Sequence, residues 1–329
     1  MVRKFVFIII FMKKNIVFID GSSGTTGLQV ASRLSQRVDI DLVILAKKDR
    51  KSKKKRREAM QYSDVTILCL PDLAAIQAVE LTKDRNVRVI DASSAHRTAQ
   101  GWVYGFPELC SEQKSEIANA NFVSNPGCYA SGFIALSRPL VEGRVISKDL
   151  CLVAPSVSGY SGGGKNMIAS MKKGELPPHF DYALDLSHKH IPEMMMYSGL
   201  QAQPLFVPSV GLFEQGMLVR LAIPKVQFPK DITTNDIYDL YREAYREHPL
   251  IKICDSESHS MTKNSSFLSA EGLAGDDGLE IFCFENKHAE QLLIVARLDN
   301  LGKGAAGACV QNLNIMLGCN PYTGLNLKE

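Results

Sequence analysis

The sequence predicts an α/β protein of two domains, a parallel sheet covered by helices first and an α+β domain with a mixed or antiparallel sheet second. Three observations carry this. Between residues 15 and 93, strand-like runs without polar alternation ("NIVFID", "DLVILA", "DVTILCL", "VRVIDAS") are separated by helix-like ones such as "LQVASRLSQR" and "AAIQAVELTKD". Strands apolar on both sides are covered on both faces, and their alternation with helices builds right-handed βαβ units. Beyond about residue 130 the strand-like runs lengthen ("LCLVAPSVSG", "PLFVPSVG", "GMLVRLAIPKV", "QLLIVARLD") and carry branched and aromatic residues in succession, as a larger sheet does. Finally, 329 residues at 45% hydrophobic and 22% charged suffice for two separate cores and exclude a disordered chain.

Taken in order, residues 1–13 are an extra leading segment, 14–128 the first domain, 129–298 the second, and 299–329 a final helical segment. The opening "MVRKFVFIIIFMKK" has the basic start and short apolar core of a secretion signal. No small-residue cleavage site follows, and Lys14 runs straight into the first strand, so it is not read as one. Its apolar core is also too short to cross a bilayer. Within the second domain "TNDIYDLYREAYREH" is an amphipathic helix, and in the final segment "GAAGACVQNLNIMLG" is an apolar helix with small residues suited to close packing. A net charge of +3 argues against a nucleic-acid partner, and no membrane partner is expected. Eight cysteines without a C-x-x-C pair read as free thiols in a reducing, cytoplasmic compartment, with no metal site.

The first strand runs into "IDGSSGTTGLQV", where Gly21, Gly24 and Gly27, with Ser23, Thr25 and Thr26 between them, open a helix. Glycines there permit a sharp turn and close approach to a phosphate at the positive helix end. The spacing G-x-x-G-x-x-G is not the commoner G-x-G-x-x-G, so a plain βα turn is the alternative. After the second strand a carboxylate would read the ribose of NAD, whereas basic residues accept the 2′-phosphate of NADP. Lys47, Lys48 and Arg50 stand there, in a run of nine Lys and Arg read as a solvated loop, and no acid does. The expected cofactor is NADP(H).

"SVSGYSGGGKNM" superficially fits a phosphate loop through Gly159, Gly164 and Lys165, but Asn166 replaces the Ser or Thr that binds magnesium. A glycine-rich substrate loop is favoured, with Ser158 and Lys165 available to an anion. In "LSHKHIPEMMM", Pro192 suits a first helical turn, which places His190 at the helix start and Glu193 within that turn. A neutral imidazole oriented by a carboxylate is a general acid or base near neutral pH. Cys128 follows Asn-Pro-Gly and opens an apolar helix, where the helix dipole is expected to lower a thiol's pKa. Gly127 is expected to let substrate reach the sulfur. A thiolate, a histidine and a nicotinamide cofactor together point to an acyl group taken onto sulfur and reduced to an aldehyde, or the reverse.

Eight blocks in order, "IDGSSGTTGLQ", "CLPD", "VIDASSAHRT", "GWVYGFPEL", "NPGCY", "SVSGYSGGGK", "HKHIPEM" and "DNLGKGAAGACVQNLNIMLG", resemble the shorter form of N-acetyl-γ-glutamyl-phosphate reductase. The resemblance implies NADPH-dependent reduction of N-acetyl-γ-glutamyl phosphate to N-acetyl-glutamate semialdehyde and phosphate, in arginine biosynthesis. It implies a Rossmann NADP-binding domain, a catalytic and dimerisation domain like that of aspartate-semialdehyde dehydrogenase, and a C-terminal helix that returns to the first domain. A homo-oligomer, dimer or tetramer, is expected. Cys128 maps onto the family's nucleophile and the "HKHIPEM" block carries the acid/base histidine, with His190 favoured over His188. Arg97 is the candidate for the acyl phosphate, because a guanidinium fork matches phosphate geometry; Ser94 and Lys165 are further candidates. Rival readings are aspartate-semialdehyde dehydrogenase, an amino-adipate homologue, and a catalytically silent NADP-binding module. The chain departs from the family in residues 1–13, in the Pro-rich "GELPPHFDY", and in the basic stretch after the second strand.

Overall fold

The computed structural model describes residues 14–82, 87–229, 232–254, 267–286, 288 and 290–327. The extra leading segment, residues 1–13, lies outside them. Six strands form the first sheet: β1 (Asn15–Asp20), β2 (Ile40–Val43), β3 (Val65–Leu68), β4 (Val89–Asp91), β5 (Val103–Tyr104) and β6 (Phe122–Ser124), in the order β2-β1-β3-β4-β6-β5. Every pairing in it is parallel. Alternate residues of β1 serve opposite faces. Val17 and Ile19 pack with α1 (Thr25–Leu34), while Phe18 packs with α2 (Lys53–Tyr62) and α3 (Asp72–Glu80). This double covering is what the unalternated apolar strands predict.

The basic run after β2 differs from the solvated loop expected. Ser52 caps α2 by accepting from the Lys55 N–H at 3.3 Å, and Lys53 to Glu58 form its first turns. Lysine, arginine, glutamate, alanine and methionine are all good helix formers, and the buried Ala59 and Met60 anchor the helix on the sheet.

The second sheet has seven strands, β7 (Val153–Gly159), β8 (His179–Asp181), β9 (Leu205–Gly211), β10 (Met217–Pro224), β11 (Ile251–Cys254), β12 (Leu279–Asn286) and β13 (Gln291–Leu298), ordered β11-β12-β13-β10-β7-β9-β8. It is mixed: β7–β9 and β11–β12 are parallel and the remaining pairings antiparallel. One face carries the main core beneath α5 (Cys128–Glu142), with α4 (Gln113–Asn119) belonging to the first sheet's side. The other helices of this domain are α6 (Gly164–Lys172), α7 (Ile191–Ser198) and α8 (Thr234–Ala244).

Helix α5 is the central rod of that core, with residues from Tyr129 to Leu140 almost wholly buried. Pro139 within it cannot donate to the carbonyl of Ala135, four residues back. The Tyr245 hydroxyl, arriving from the end of α8, donates to that oxygen at 2.8 Å. The carbonyl that Pro139 leaves without its helical donor is thus satisfied from outside the helix.

The C-terminal segment begins with a π-helical turn, Gly302–Ala306, before α9 (Gly307–Met316). Val310, Leu313, Ile315 and Met316 of α9 join the first sheet's core with α1 and α4, so the final helix returns to the first domain. Among the described residues no helix is long and apolar enough to cross a membrane.

Candidate active site

A cleft of about 520 Å³ opens at the carboxyl ends of the parallel strands and is closed from the other side by the second sheet's loops. Ligands in open α/β sheets bind at that end. Strand β6 stops at Ser124, the 125–127 turn is extended, and α5 starts at Cys128 with Gly127 as its N-cap. Cys128 is therefore a first-turn residue at the cleft wall, half-buried.

Glycine at 127 has a reason other than substrate access. A Cβ there would stand 2.5 Å from both Arg97 Nη1 and His190 Nε2 and 2.6 Å from Glu193 Oε1. Three candidate side chains converge on one bare Cα. Likewise a Cβ on Gly304, in the π-helical turn, would come within 2.7 Å of Cys128 Cβ.

Glu193 holds this assembly together. Its Oε1 accepts from Arg97 Nη1 at 2.6 Å, and its Oε2 accepts from the Tyr104 hydroxyl at 2.7 Å and from the Gly127 N–H at 3.1 Å. His190 Nε2 is 4.0 Å away, beyond hydrogen-bond reach. The expectation that Glu193 orients the imidazole is thus corrected: Arg97 outcompetes it, since a permanently charged fork forms the stronger bond with a buried carboxylate. Arg97 also donates from Nε to the Asn125 carbonyl at 3.0 Å. Tyr104 stacks on Tyr197 at 3.7 Å, and Tyr197 donates to the Arg97 carbonyl at 2.6 Å.

Both histidines are neutral. Burial, the Arg97 charge, His188 and Lys189 hold His190 well below the usual imidazole range. Burial, then Lys189 and Arg97, lowers His188 to about 4. His188 Nδ1 accepts the His190 backbone N–H at 3.1 Å, and its Nε2 lies 3.4 Å from the Tyr182 hydroxyl. His190 Nδ1 is buried without a partner among the described residues.

The thiol corrects another expectation. Burial pushes Cys128 up to about 11, against the opposing effects of Arg97 and the Tyr129 N–H. Desolvation of a thiolate outweighs the first turn of a helix dipole, because the dipole supplies only a partial charge.

At the other end of the cleft, Gly24 is the N-cap of α1 and brings no side-chain cap. Gly21 (φ +92°) and Gly27 are required by packing, since a Cβ on either would strike the backbone of Cys69 or of Gly21. A Cβ on Gly24 would meet nothing closer than 3.6 Å, and the buried Thr25 hydroxyl lacks a partner among the described residues. Free helix N–H groups and an unpaired hydroxyl are what a dinucleotide's phosphates need, so the residues present fit NADP(H). Lys47 and Lys48 are exposed in the turn after β2, outside the cleft wall.

Of the residues singled out from sequence, Cys128, Arg97, His188, His190, Ser158, Lys165, Gly24, Thr25, Thr26 and Gly27 meet at the cleft. Glu193 stands behind them. Ser23 is exposed and does not line the cleft. Ser94 does not line it either, because its N–H and hydroxyl are spent on the Asp72 carboxylate at 2.9 and 2.7 Å. Lys189, Asn125, Tyr104 and Gly304 escaped sequence reading. Lys189 was legible, lying between the two histidines and exposed in the cleft wall, whereas Tyr104 and Gly304 act through contacts no local pattern announces.

Two family models match the chain: "Semialdehyde dehydrogenase, NAD binding domain" over residues 16–117 and "Semialdehyde dehydrogenase, dimerisation domain" over residues 128–300. The N-acetyl-gamma-glutamyl-phosphate reductase of Trichormus variabilis is 45% identical over 322 residues, spanning 95% of this chain and all of that one. That of Brucella ovis is 41% identical over 308 residues, 92% of this chain and 98% of its own. Among solved structures, aspartate semialdehyde dehydrogenase II of Vibrio cholerae complexed with ASA superposes with a TM-score of 0.71 at 14% identity, covering 93% of this chain and 99% of that one. The Candida albicans aspartate semialdehyde dehydrogenase with NADP gives 0.63 at 14% identity, with the same coverage. At such identity these structures attest the fold.

Proposed function

The chain belongs to the N-acetyl-γ-glutamyl-phosphate reductases, of the semialdehyde dehydrogenase family, and from that premise we infer that it reduces N-acetyl-γ-glutamyl phosphate to N-acetyl-glutamate semialdehyde and phosphate with NADPH, in arginine biosynthesis. The observation that carries the site assignment is the convergence of Arg97, His190 and Glu193 on the Cα of Gly127, next to Cys128.

In this reading Cys128 Sγ attacks the γ-acyl carbon, the bond from that carbon to the phosphate oxygen breaks, and phosphate leaves with the bonding pair. NADPH supplies the hydride that turns the acyl carbon to the aldehyde level. The backbone N–H groups of Cys128 and Tyr129, first-turn donors of α5, face the developing oxyanion, since the Gly127 N–H is already given to Glu193. The resting thiol is protonated, so a base must take its proton. His190 is the candidate, with a buried, unpartnered ring nitrogen. The positive charges of Arg97 and Lys189 contribute to keeping it neutral. A substrate phosphate bound beside them cancels that field, so transfer from sulfur to imidazole becomes favourable when substrate arrives. His190 then returns the proton as the sulfur is expelled. Because the Arg97 fork is committed to Glu193, Arg97 contributes mainly charge, and the exposed Lys165 and Lys189 supply further phosphate contacts.

A homo-oligomer, dimer or tetramer, is supported by the match to a dimerisation domain. A cytoplasmic location is supported by the eight free thiols. The assay that tests the function is phosphate-dependent reduction of NADP⁺ with N-acetyl-glutamate semialdehyde, run against aspartate semialdehyde. Preference for the aspartate compound would move the chain to the rival activity, and turnover on neither would leave a silent NADP-binding module.

A further inference from the structure

Behind Cys128 lies a charged cluster that the chemistry above does not use. Lys303 Nζ donates to Glu108 Oε1 and to Gln311 Oε1, both at 2.7 Å, and Gln311 Nε2 donates to the same Glu108 oxygen at 2.8 Å. The Lys303 and Glu108 side chains are only 1% and 2% exposed. Lys303 also stands over the Phe106 ring at 5.3 Å. Glu108 and Phe106 belong to the loop after β5, in the first domain, whereas Lys303 belongs to the π-helical turn leaving the second sheet.

A buried ion pair is a poor source of stability, because the cost of desolvating both charges offsets their attraction; its better-attested use is to fix one arrangement among several. Here the arrangement matters to the thiol. The turn that Lys303 anchors places Gly304 directly against Cys128, with no room for a Cβ between them. On the turn's next residue, the Ala305 carbonyl accepts from Asn125 Nδ2 at 3.0 Å, and Asn125 Oδ1 accepts from Asn312 of α9 at 3.1 Å. The Asn-Pro-Gly-Cys turn is therefore gripped by the C-terminal segment. Single-turn π-bulges of this kind recur at functional sites because they re-aim side chains that a regular helix would misplace.

We propose that Lys303, Glu108 and Gln311 are positioning residues for Cys128: the cluster locks the π-helical turn, and the turn sets where the sulfur stands. The proposal rests on Cys128 being the nucleophile. It assigns the three residues no contact with substrate or cofactor.

The test compares the full-length enzyme with Lys303→Met, with Glu108→Gln, and with the apolar triple variant Lys303→Met/Glu108→Leu/Gln311→Leu. The triple variant removes every charge at once and so leaves no unpaired group. It should fold and retain NADPH affinity within about threefold, measured by fluorescence titration, while kcat falls by about 100-fold, the scale of a 1 Å misplacement. Glu108→Gln keeps the oxygen that accepts both bonds but leaves the buried Lys303 charge without its counterion, so it too should lower kcat. Alkylation of Cys128, mapped on peptides across pH, reports the sulfur without turnover and should change in rate by about tenfold or more in the triple variant. A folded triple variant with kcat and alkylation rate within about twofold of wild type overturns the proposal. So does a fall in kcat matched by equal losses in melting temperature and NADPH binding. If instead the reading of Cys128 is wrong, Cys128→Ser will turn over, a result independent of these variants.

Discussion

Glu193 Oε1 lies 2.6 Å from Arg97 Nη1 and 4.0 Å from His190 Nε2, so the carboxylate neutralises the guanidinium and does not bind the imidazole. Both members of that pair are buried, at 8% and 1% side-chain exposure. Removing one partner strands the other's charge. Glu193→Leu should therefore destabilise the fold by about 3–5 kcal/mol. Urea denaturation measures it, and a loss under about 1 kcal/mol would show that water already shields Arg97.

Gly127→Ala tests the convergence of side chains on one Cα. The new methyl would need space held by Arg97, His190 and Glu193. At least one of them must move, and turnover should fall by about 100-fold while NADPH affinity is kept. Single-turnover kinetics beside a cofactor titration separates the two effects.

The thiol's acidity sets how Cys128 reacts alone. With its pKa pushed up to about 11, brief alkylation of the free enzyme by iodoacetamide should be slow near neutral pH and climb steadily above pH 9. Rapid labelling of Cys128 at pH 7 would mean that the helix start outweighs burial after all. Cys128→Ser should abolish turnover by several orders of magnitude and leave NADPH binding intact, because serine keeps the shape but not the acidity.

The histidines predict both a rate effect and a stability profile. His190→Asn should lower kcat by about 100-fold or more, the scale of lost proton transfer, and His188→Asn should cost less. His188 titrates near 4 in the folded chain against 6.5 for a free imidazole. On acidification the unfolded chain binds the proton first, so stability is fully present above pH 6.5 and declines as pH falls toward 4. His190, also depressed, adds to the same window. Melting temperature against pH should flatten there in the His188→Asn/His190→Asn variant; an unchanged slope would remove both groups from the linkage.

Cofactor choice follows from the missing acid after β2. NADPH should be preferred over NADH by at least about tenfold, equivalent to about 1.4 kcal/mol. Lys47→Glu/Lys48→Glu should erode that preference mainly through KM. Thr25→Val should weaken both dinucleotides alike, because the residue lines the cleft at the start of α1, where phosphates common to both would bind. Equal use of both cofactors by the wild type would contradict the assignment.

Legibility followed sequence distance. The strands from "NIVFID" to "VRVIDAS", the helix opened by Cys128, and the helix that starts after His190 were readable because apolar periodicity, a glycine turn and a first-turn proline are local signals. The basic run misled as a loop because charge masks helix propensity when only Ala59 and Met60 are buried. The partner of Glu193 was misread because the nearest candidate in sequence was His190, whereas Arg97 lies 96 residues away.

The sequence by itself determined the two-domain α/β architecture, the glycine turn into α1, and the choice of nucleophile and base candidates, since each follows from residue types within one element. Tertiary structure alone decided their states. Burial, which no window of sequence measures, pushed the Cys128 thiol up and helped drive the imidazoles down. Likewise the C-terminal turn reaches the sulfur only because α9 returns to the first sheet and carries Gly304 against Cys128. A contact between residues 128 and 304 is a property of how the chain packs, and the pKa of a group depends on everything packed around it.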